Sequence, residues 1–498
     1  MNCRTWIVLI VVVGLAVSGW AVEMQFDHDR ISLRVEREPL TNILARFAEK
    51  GVRVQYDPSI DVLVTGSCGA APVEEALAAL LEPFAYAAIW EVVPGPLGEW
   101  PRLAELHVFR PGEKERIRPL QPENVLRVVQ GPFPDSPLIV ADELLVRVAR
   151  GVRAEEFRNW LRSVGASIVA SVPSLGVYQL RVAPGVNIFD LVERANRNPL
   201  IESAEPNFAT PLPRADFDSP MSKEALVADS PAKPLRGAPP LAILDSGVRD
   251  ELGIGAWVVG RFNAMAPDRE PVDPLGHGTQ MALLASGMIR PTGSLPSDEG
   301  LPILAIRAFD DRGVTSNFAI LRAIDYAVRQ GARVLNLSWG TPTHSPFLEE
   351  AIAYAQAKGL VVVAAAGNEP TGRPVYPAAY KGVIAVSALA SKGDLWENSN
   401  RGDFVTVAAP GAAVMPIGYQ GPAGLYAGTS IASAWVAREI ALFFARNPGT
   451  TAQQAIDALR AAVTDAGKPG RDERFGFGVL DAGAQARLRG RSESSPTK

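Results

Sequence analysis

Cysteine is nearly absent. The 498 residues hold only Cys3 and Cys68, and Cys3 belongs to an N-terminal stretch that reads as a removable leader. A mature chain would then carry one cysteine. An intrachain disulfide and a metal site built on cysteine pairs are both excluded. Histidine is almost as sparse. His28, His107, His277 and His344 are too scattered to suggest a zinc cluster. Net charge is −5, with no arginine stripe and no aromatic-basic patch, so no nucleic-acid partner is indicated. The longest apolar run, Ile7–Val17, falls short of the ~20 residues that a spanning helix needs.

The composition is that of folded soluble domains, with 47% hydrophobic and 21% charged residues. The length suggests about three domains. Arg4, the apolar run and Gly19-Trp20-Ala21 form the charged start, apolar middle and small-residue end of a secretory signal over 1–22, with cleavage near Ala21. Secreted or periplasmic localisation follows. Cys3 precedes the apolar run, the wrong place for a lipid-modified cysteine at the cut.

Residues 23–115 contain an internal echo. Ile31, Leu33 and Val35 alternate as in a strand. Pro39 then opens a helix with Leu40, Ile43, Leu44 and Phe47 on one face. After the strand-like VRVQY and DVLVTG, Pro72 opens a second helix carrying Val73, Ala76, Leu77, Leu80 and Leu81. AAIWEVV and ELHVF close the module. This pattern resembles the short N-terminal domain of secretins and TonB-dependent receptors. The resemblance implies either protein recognition, with an envelope protein as partner, or structural support.

Residues 138–208 repeat the layout. ELLVRV is a strand, EEFRNWLRSVGA a helix with Phe157, Leu161 and Val164 inward and a stop at Gly165. SIVASV and VYQLRV are strands, NIFDLVERANRNP a helix ended by Pro199, and IESAEPNF an extended tail. The segment resembles subtilase propeptides, which implies an intramolecular inhibitor whose tail lies in the active-site cleft. Residues 209–240 carry seven prolines (211, 213, 220, 231, 234, 239 and 240) and read as an extended, exposed linker holding a processing site.

From 241 to 485 the apolar runs LAIL, PILAIRAF, RVLNLS, LVVVAAA, VIAVSAL and VTVAA have strand length and suit strands buried on both faces. Amphipathic helices lie between several of them, which predicts a parallel α/β sheet. RGRSESSPTK is the end of a tail expected to be disordered over 486–498.

Four places in this segment carry chemistry where strands end and helices begin. In LAILDSGV, Asp245 follows a buried strand; a plain Asp-Ser-Gly turn is the alternative. In PLGHGTQMALLASG, His277 stands between glycines at a helix mouth. Its imidazole titrates near neutrality and so suits a base, though a capping histidine would look alike. In VVVAAAGNEP, Asn368 lies beyond a strand and a glycine, where an amide or an ordinary turn would fit. In GTSIASAWVA, Ser430 opens a long helix, either as its cap or as a hydroxyl that needs a base.

The order Asp245, His277, Asn368, Ser430 resembles that of subtilisin-like serine peptidases, the subtilases; the Asp-His-Ser order of the triad is the known subtilisin arrangement. The resemblance implies an α/β fold, with a parallel-sheet subtilisin-like catalytic domain preceded by two small α+β domains. It also implies a Ser430-His277-Asp245 triad, Asn368 as oxyanion donor and polypeptide substrates. Ser338, Trp339 and Gly340 would line the cleft, and Tyr376-Pro377 would carry a cis bond. Gln280 and Ala434-Trp435 depart from the family, which often has His and Pro-His there. No cofactor is called for. Many relatives bind calcium, but no acidic loop here suggests a site. The competing reading is a catalytically idle fold acting as a binding module.

Overall fold

The computed structural model describes residues 23–490 except 28–29, 61, 121–124, 134–135, 215, 221–232 and 236. Residues 1–22, read above as a leader, residues 491–498 of the expected tail and His28 lie outside the described residues. Among the described residues, no helix is long and apolar enough to cross a membrane. The described residues form two compact units, one within 23–120 and 127–207, the other within 125–126 and 208–490.

In the first unit the expected echo is present. Helices Leu40–Glu49 and Val73–Leu81 start directly after Pro39 and Pro72. They bury the faces read from the sequence: Leu40, Ile43, Leu44 and Phe47 in one, Val73, Ala76, Leu77, Leu80 and Leu81 in the other. Strands Glu23–Asp27, Arg30–Pro39 and Leu63–Pro72 form one sheet. A long hairpin, Ala85–Gly95 with Gly98–Phe109, joins Arg53–Tyr56 and Arg118–Pro119 in another.

The second module of this unit has strands Leu138–Val148, Ser167–Val172 and Val177–Arg181, helices Ala154–Val164 and Ile188–Asn196, and the first part, 201–207, of strand Ile201–Pro211. Helix Ala154–Val164 ends at Gly165, whose φ of 65° is a left-handed conformation that glycine adopts without cost. An aromatic seam binds the two modules. Trp100 of the hairpin meets Phe157 and Tyr178 edge-on, at ring separations of 6.0 and 6.2 Å. The Tyr178 hydroxyl accepts hydrogen bonds from Leu97 N (3.1 Å) and Trp100 Nε1 (3.3 Å). A Cβ at Gly95 would sit 2.4 Å from that hydroxyl, so the hairpin can approach only with glycine there. Residues treated separately in the sequence thus share one packed junction.

The second unit is built on seven parallel strands: β1 (Leu241–Asp245), β2 (Val258–Asn263), β3 (Ile303–Arg307), β4 (Val334–Leu337), β5 (Val361–Ala365), β6 (Ile384–Leu389) and β7 (Val407–Pro410). Their order is β2-β3-β1-β4-β5-β6-β7. All pairings are parallel. Strand β1 lies where the connections change direction, with β3 on one side and β4 on the other, and such a point opens a crevice at the strand's C-terminal end. Alternate residues face opposite ways along each strand. Leu241, Ile243, Ile303, Ala305, Val361 and Val363 share a core with helices α1 (His277–Ser286) and α4 (Thr429–Arg446). Helices α2 (Asn317–Arg329) and α3 (Pro346–Ala357) pack against β1 and β5 respectively. Burial on both faces explains the unbroken apolar runs.

Two boundaries differ from expectation. A helix over Ala482–Leu488 carries ordered structure past 485; the Asp481 carboxylate caps it by accepting from Ala484 N at 2.7 Å. The linker from 209 is extended but not exposed at its start, since Ala209, Thr210 and Leu212 are buried. The reason is backbone pairing. Ala209, Thr210 and Pro211 run antiparallel to Ser316, Thr315 and Val314, and Asp216–Pro220 pairs with strand Gly424–Ala427. Prolines are tolerated in such edge strands because no donor is required on their outer side.

Candidate active site

Each candidate residue is held by the end of an element. Asp245 is the last residue of β1 and is 1% exposed. The chain turns sharply after it at Gly247, with φ 110°, where a Cβ would lie 2.7 Å from the Pro271 carbonyl. One carboxylate oxygen, Oδ1, accepts from His277 Nδ1 at 2.7 Å, Ser246 N at 2.8 Å and Ser246 Oγ at 3.3 Å. The other, Oδ2, is buried with no partner among the described residues.

His277 is the first residue of α1 and is 3% exposed. Gly276 before it has no side chain to cap the helix, and Asp273 does that work instead. Its carboxylate accepts from Leu275 N, Gly276 N, Thr279 N and Thr279 Oγ1. Thr279 N is one of the four donors that a helix start leaves free, and a second, Gly278 N, goes to Ser246 Oγ at 2.9 Å. A Cβ on Gly278 would meet the Gly247 carbonyl at 2.2 Å, so glycine after the histidine lets α1 dock on the Asp245 turn.

Ser430 is the second residue of α4, so its N–H is one of those a helix leaves without an internal acceptor. Its hydroxyl donates to the Ser338 carbonyl at 3.0 Å. Among the described residues no hydrogen bond joins Ser430 to His277. The acid and the imidazole are therefore coupled, while the serine is hydrogen-bonded elsewhere.

Asn368 lies beyond β5. Its Oδ1 accepts from both Thr429 N (3.1 Å) and Thr429 Oγ1 (2.7 Å). Two donors on one atom fix which end of the amide is oxygen, leaving Nδ2 as a donor beside the start of α4. The Thr429 hydroxyl also accepts from Gly367 N at 3.2 Å.

Ser338 and Trp339 are buried and Gly340 is half-buried. The Ser338 hydroxyl accepts from Asn336 Nδ2 at 2.8 Å and contacts Ser433 Oγ at 3.2 Å. Trp339 packs edge-on against Phe309. The Tyr376–Pro377 bond is cis. The departing residues have structural work: Gln280 Nε2 donates to the Ile417 carbonyl at 2.6 Å, and Ala434 and Trp435 are fully inside the core.

The sequence reading missed three contributors. The edge Gly313–Ser316 receives the segment that follows the second module, with Leu212 N donating to the Gly313 carbonyl at 2.7 Å. Asp273 signals itself only as an acid four residues before a helix-opening histidine. Tyr419 has no local signal, yet its ring lies 4.8 Å from that of His277. Its hydroxyl donates to the Pro213 carbonyl at 2.6 Å. Burial first, then the carboxylates of Asp245 and Asp273, push this phenol up from its ordinary range. Among the described residues no group of three or more His, Cys, Asp or Glu side chains is placed to hold a metal ion.

Comparison with known proteins places the chain in a family. The model of the subtilase family matches residues 241–478, and that of the fervidolysin N-terminal prodomain matches residues 139–207. A thermophilic serine proteinase of Bacillus sp. (strain AK1) is 32% identical over 339 residues, covering 66% of this chain and 84% of its own. Thermitase of Thermoactinomyces vulgaris is 36% identical over 199 residues, or 40% of this chain and 71% of its own. The minor extracellular protease Epr of Bacillus subtilis is 33% identical over 249 residues, but this chain spans only 38% of its length. The crystal structure of fervidolysin from Fervidobacterium pennivorans, described as a keratinolytic enzyme related to subtilisin, superposes with a TM-score of 0.58 at 21% identity. That match covers 75% of this chain and 64% of fervidolysin, and shows the shared fold. This chain belongs to the subtilase family and carries a fervidolysin-type prodomain ahead of its catalytic domain.

Proposed function

We propose that this chain is an exported serine endopeptidase made as a zymogen, with Ser430, His277 and Asp245 as its triad. The observation that carries the reading is the buried 2.7 Å bond between His277 Nδ1 and the Asp245 carboxylate. That bond places the histidine proton on Nδ1 and leaves Nε2 as the base. Catalysis would require the Ser430 hydroxyl to leave the Ser338 carbonyl for His277, and catalytic hydrogen bonds are commonly loose before substrate binds. His277 then takes the Ser430 proton as Oγ attacks a peptide carbonyl. Asp245 stabilises the imidazolium, and Asn368 Nδ2 with the Ser430 N–H binds the oxyanion. The protonated histidine releases the amine, and water frees the acyl group by the reverse steps.

The prodomain reading extends to inhibition. The segment that leaves it occupies the edge Gly313–Ser316 and then the strand leading to Ser430, as an added strand of peptide would. Processing is expected in 209–240, and the leader directs the chain out of the cytoplasm to the periplasm or beyond. Purified wild type should cut itself in that segment, read as the mass of the mature chain, and Ser430→Ala should stay whole.

One observation favours a second reading. The Ser430 hydroxyl is bonded to Ser338 and not to His277, as in an idle fold kept for binding. A wild type that remains uncut and unreactive would support that alternative.

A further inference from the structure

The loop Ile417–Gln420 does more than fill space beside the site. Gln280 holds it to α1 through the Ile417 carbonyl. A Cβ on Gly276 would meet the Gly418 carbonyl at 2.3 Å, so glycine before the histidine is what allows the loop to close on it. Tyr419 N donates to the Tyr426 hydroxyl at 3.2 Å, tying the loop to the strand that leads to Ser430. Gln420 sits at φ 52°, a left-handed conformation that a residue with a Cβ adopts only at a cost. From there its amide donates to the Tyr419 hydroxyl at 3.0 Å. The hydroxyl accepts one hydrogen bond and donates one, to the carbonyl of Pro213. Tyr419 is 3% exposed.

With the segment in place, this buried donor is satisfied by the Pro213 carbonyl. When the prodomain segment departs, the hydroxyl remains aimed at the place where a backbone carbonyl lay. Leu212, one residue earlier, has its N–H on Gly313. Two consecutive residues of an extended chain are thus read by fixed protein groups: an N–H by a carbonyl, then a carbonyl by a phenol. Neither contact uses a side chain of the bound segment, so any peptide in the same path offers the same two atoms.

We propose that Tyr419 is a positioning residue for polypeptide substrates: its hydroxyl binds the main-chain carbonyl that follows the residue paired with Gly313, and thereby seats the peptide beside His277. The proposal rests on the peptidase reading above. Its raised phenol keeps the proton this contact needs through the neutral range.

The test uses self-processed wild type and Tyr419→Phe, the latter released from its prodomain by a trace of wild type. Two substrates are compared. One is a quenched fluorescent decapeptide long enough to reach both the Gly313 edge and the Gly424–Ala427 strand. The other is p-nitrophenyl acetate, which has no main chain to seat. Loss of one hydrogen bond should raise KM for the decapeptide about 2- to 12-fold with little change in kcat. The acetate, turned over by the same Ser430 and His277, should lose less than the decapeptide, and a wild-type unfolding temperature shows that the variant is folded. An unchanged KM on the decapeptide overturns the proposal. So does an equal loss on both substrates, because the ring would then act only by packing on His277. A wild type inert on both ends the peptidase reading and takes this proposal with it.

Discussion

Replacing Asp245 by Asn keeps its shape and removes one charge. The geometry says what should follow. Asp245 Oδ1 accepts from both His277 Nδ1 and Ser246 N, while Oδ2 is buried without a partner among the described residues. An amide placed with its oxygen at the Oδ1 position keeps both bonds and leaves its NH2 buried and unsatisfied. The histidine tautomer survives, and the loss is that of an anion facing the imidazolium. Two unit charges about 4 Å apart at an effective dielectric of 20 interact by about 4 kcal/mol, or about 10³ in rate. The flipped amide sets N–H against N–H at Ser246 and forces the wrong tautomer, which costs more; Asp-to-Asn at such a triad can reach about 10⁴. Asp245→Asn should therefore slow self-cleavage of the purified full chain by at least about 10³. The rate is followed by mass at several protein concentrations, so that cutting within one chain is separated from cutting between chains. A loss smaller than tenfold, in a variant that unfolds at the wild-type temperature, would refute the reasoning, because His277 would then need no buried anion.

Asn368→Asp should lower kcat by at least about 10²–10³ with KM nearly unchanged, since it keeps the acceptor for Thr429 but removes the proposed oxyanion donor; steady-state kinetics on one peptide decide it, and a change confined to KM would remove Asn368 from the mechanism. Trp100→Ala should destabilise the first unit by about 3–5 kcal/mol through loss of its contacts with Phe157 and Tyr178; denaturant unfolding followed by hydrogen exchange should show the loss in residues 23–207, and an unperturbed first unit would contradict the shared aromatic junction. Burial pushes the Tyr178 phenol up. Above the ordinary tyrosine value of about 10, the unfolded chain releases a proton that the folded chain keeps, so stability falls as pH rises. Wild type should lose more stability than Tyr178→Phe between pH 9 and 11; equal losses would mean that this phenol ionises freely.

The parts of the fold written in local pattern were legible from the sequence. Ile31, Leu33 and Val35 alternate because one side of their strand is buried. The runs around Leu241–Leu244 and Val361–Ala364 are continuous because their sheet is covered on both faces. Gly165 marks a helix stop because only glycine adopts a left-handed cap freely. Asp245, His277 and Ser430 could be proposed because each stands where a strand ends or a helix begins. What escaped were contacts between distant residues with no periodic trace. Tyr419 reaches His277 across more than a hundred residues, and only the tight glycines at 276 and 418 allow it. The start of the linker read as exposed because proline-rich composition describes a chain without partners. Here two strand edges supply those partners and bury Thr210 and Leu212. The Trp100–Tyr178 seam was invisible for the same reason, since each half of it lies in a separate module.

The central claim is that the Ser430 hydroxyl becomes a nucleophile once His277 can take its proton. The most direct measurement treats the processed chain with a serine-directed fluorophosphonate and maps the adduct by peptide mass. A single adduct on Ser430, absent from Ser430→Ala and strongly slowed in His277→Ala, is the predicted result. Equal labelling of wild type and Ser430→Ala, or no labelling of a folded and processed wild type, would contradict it.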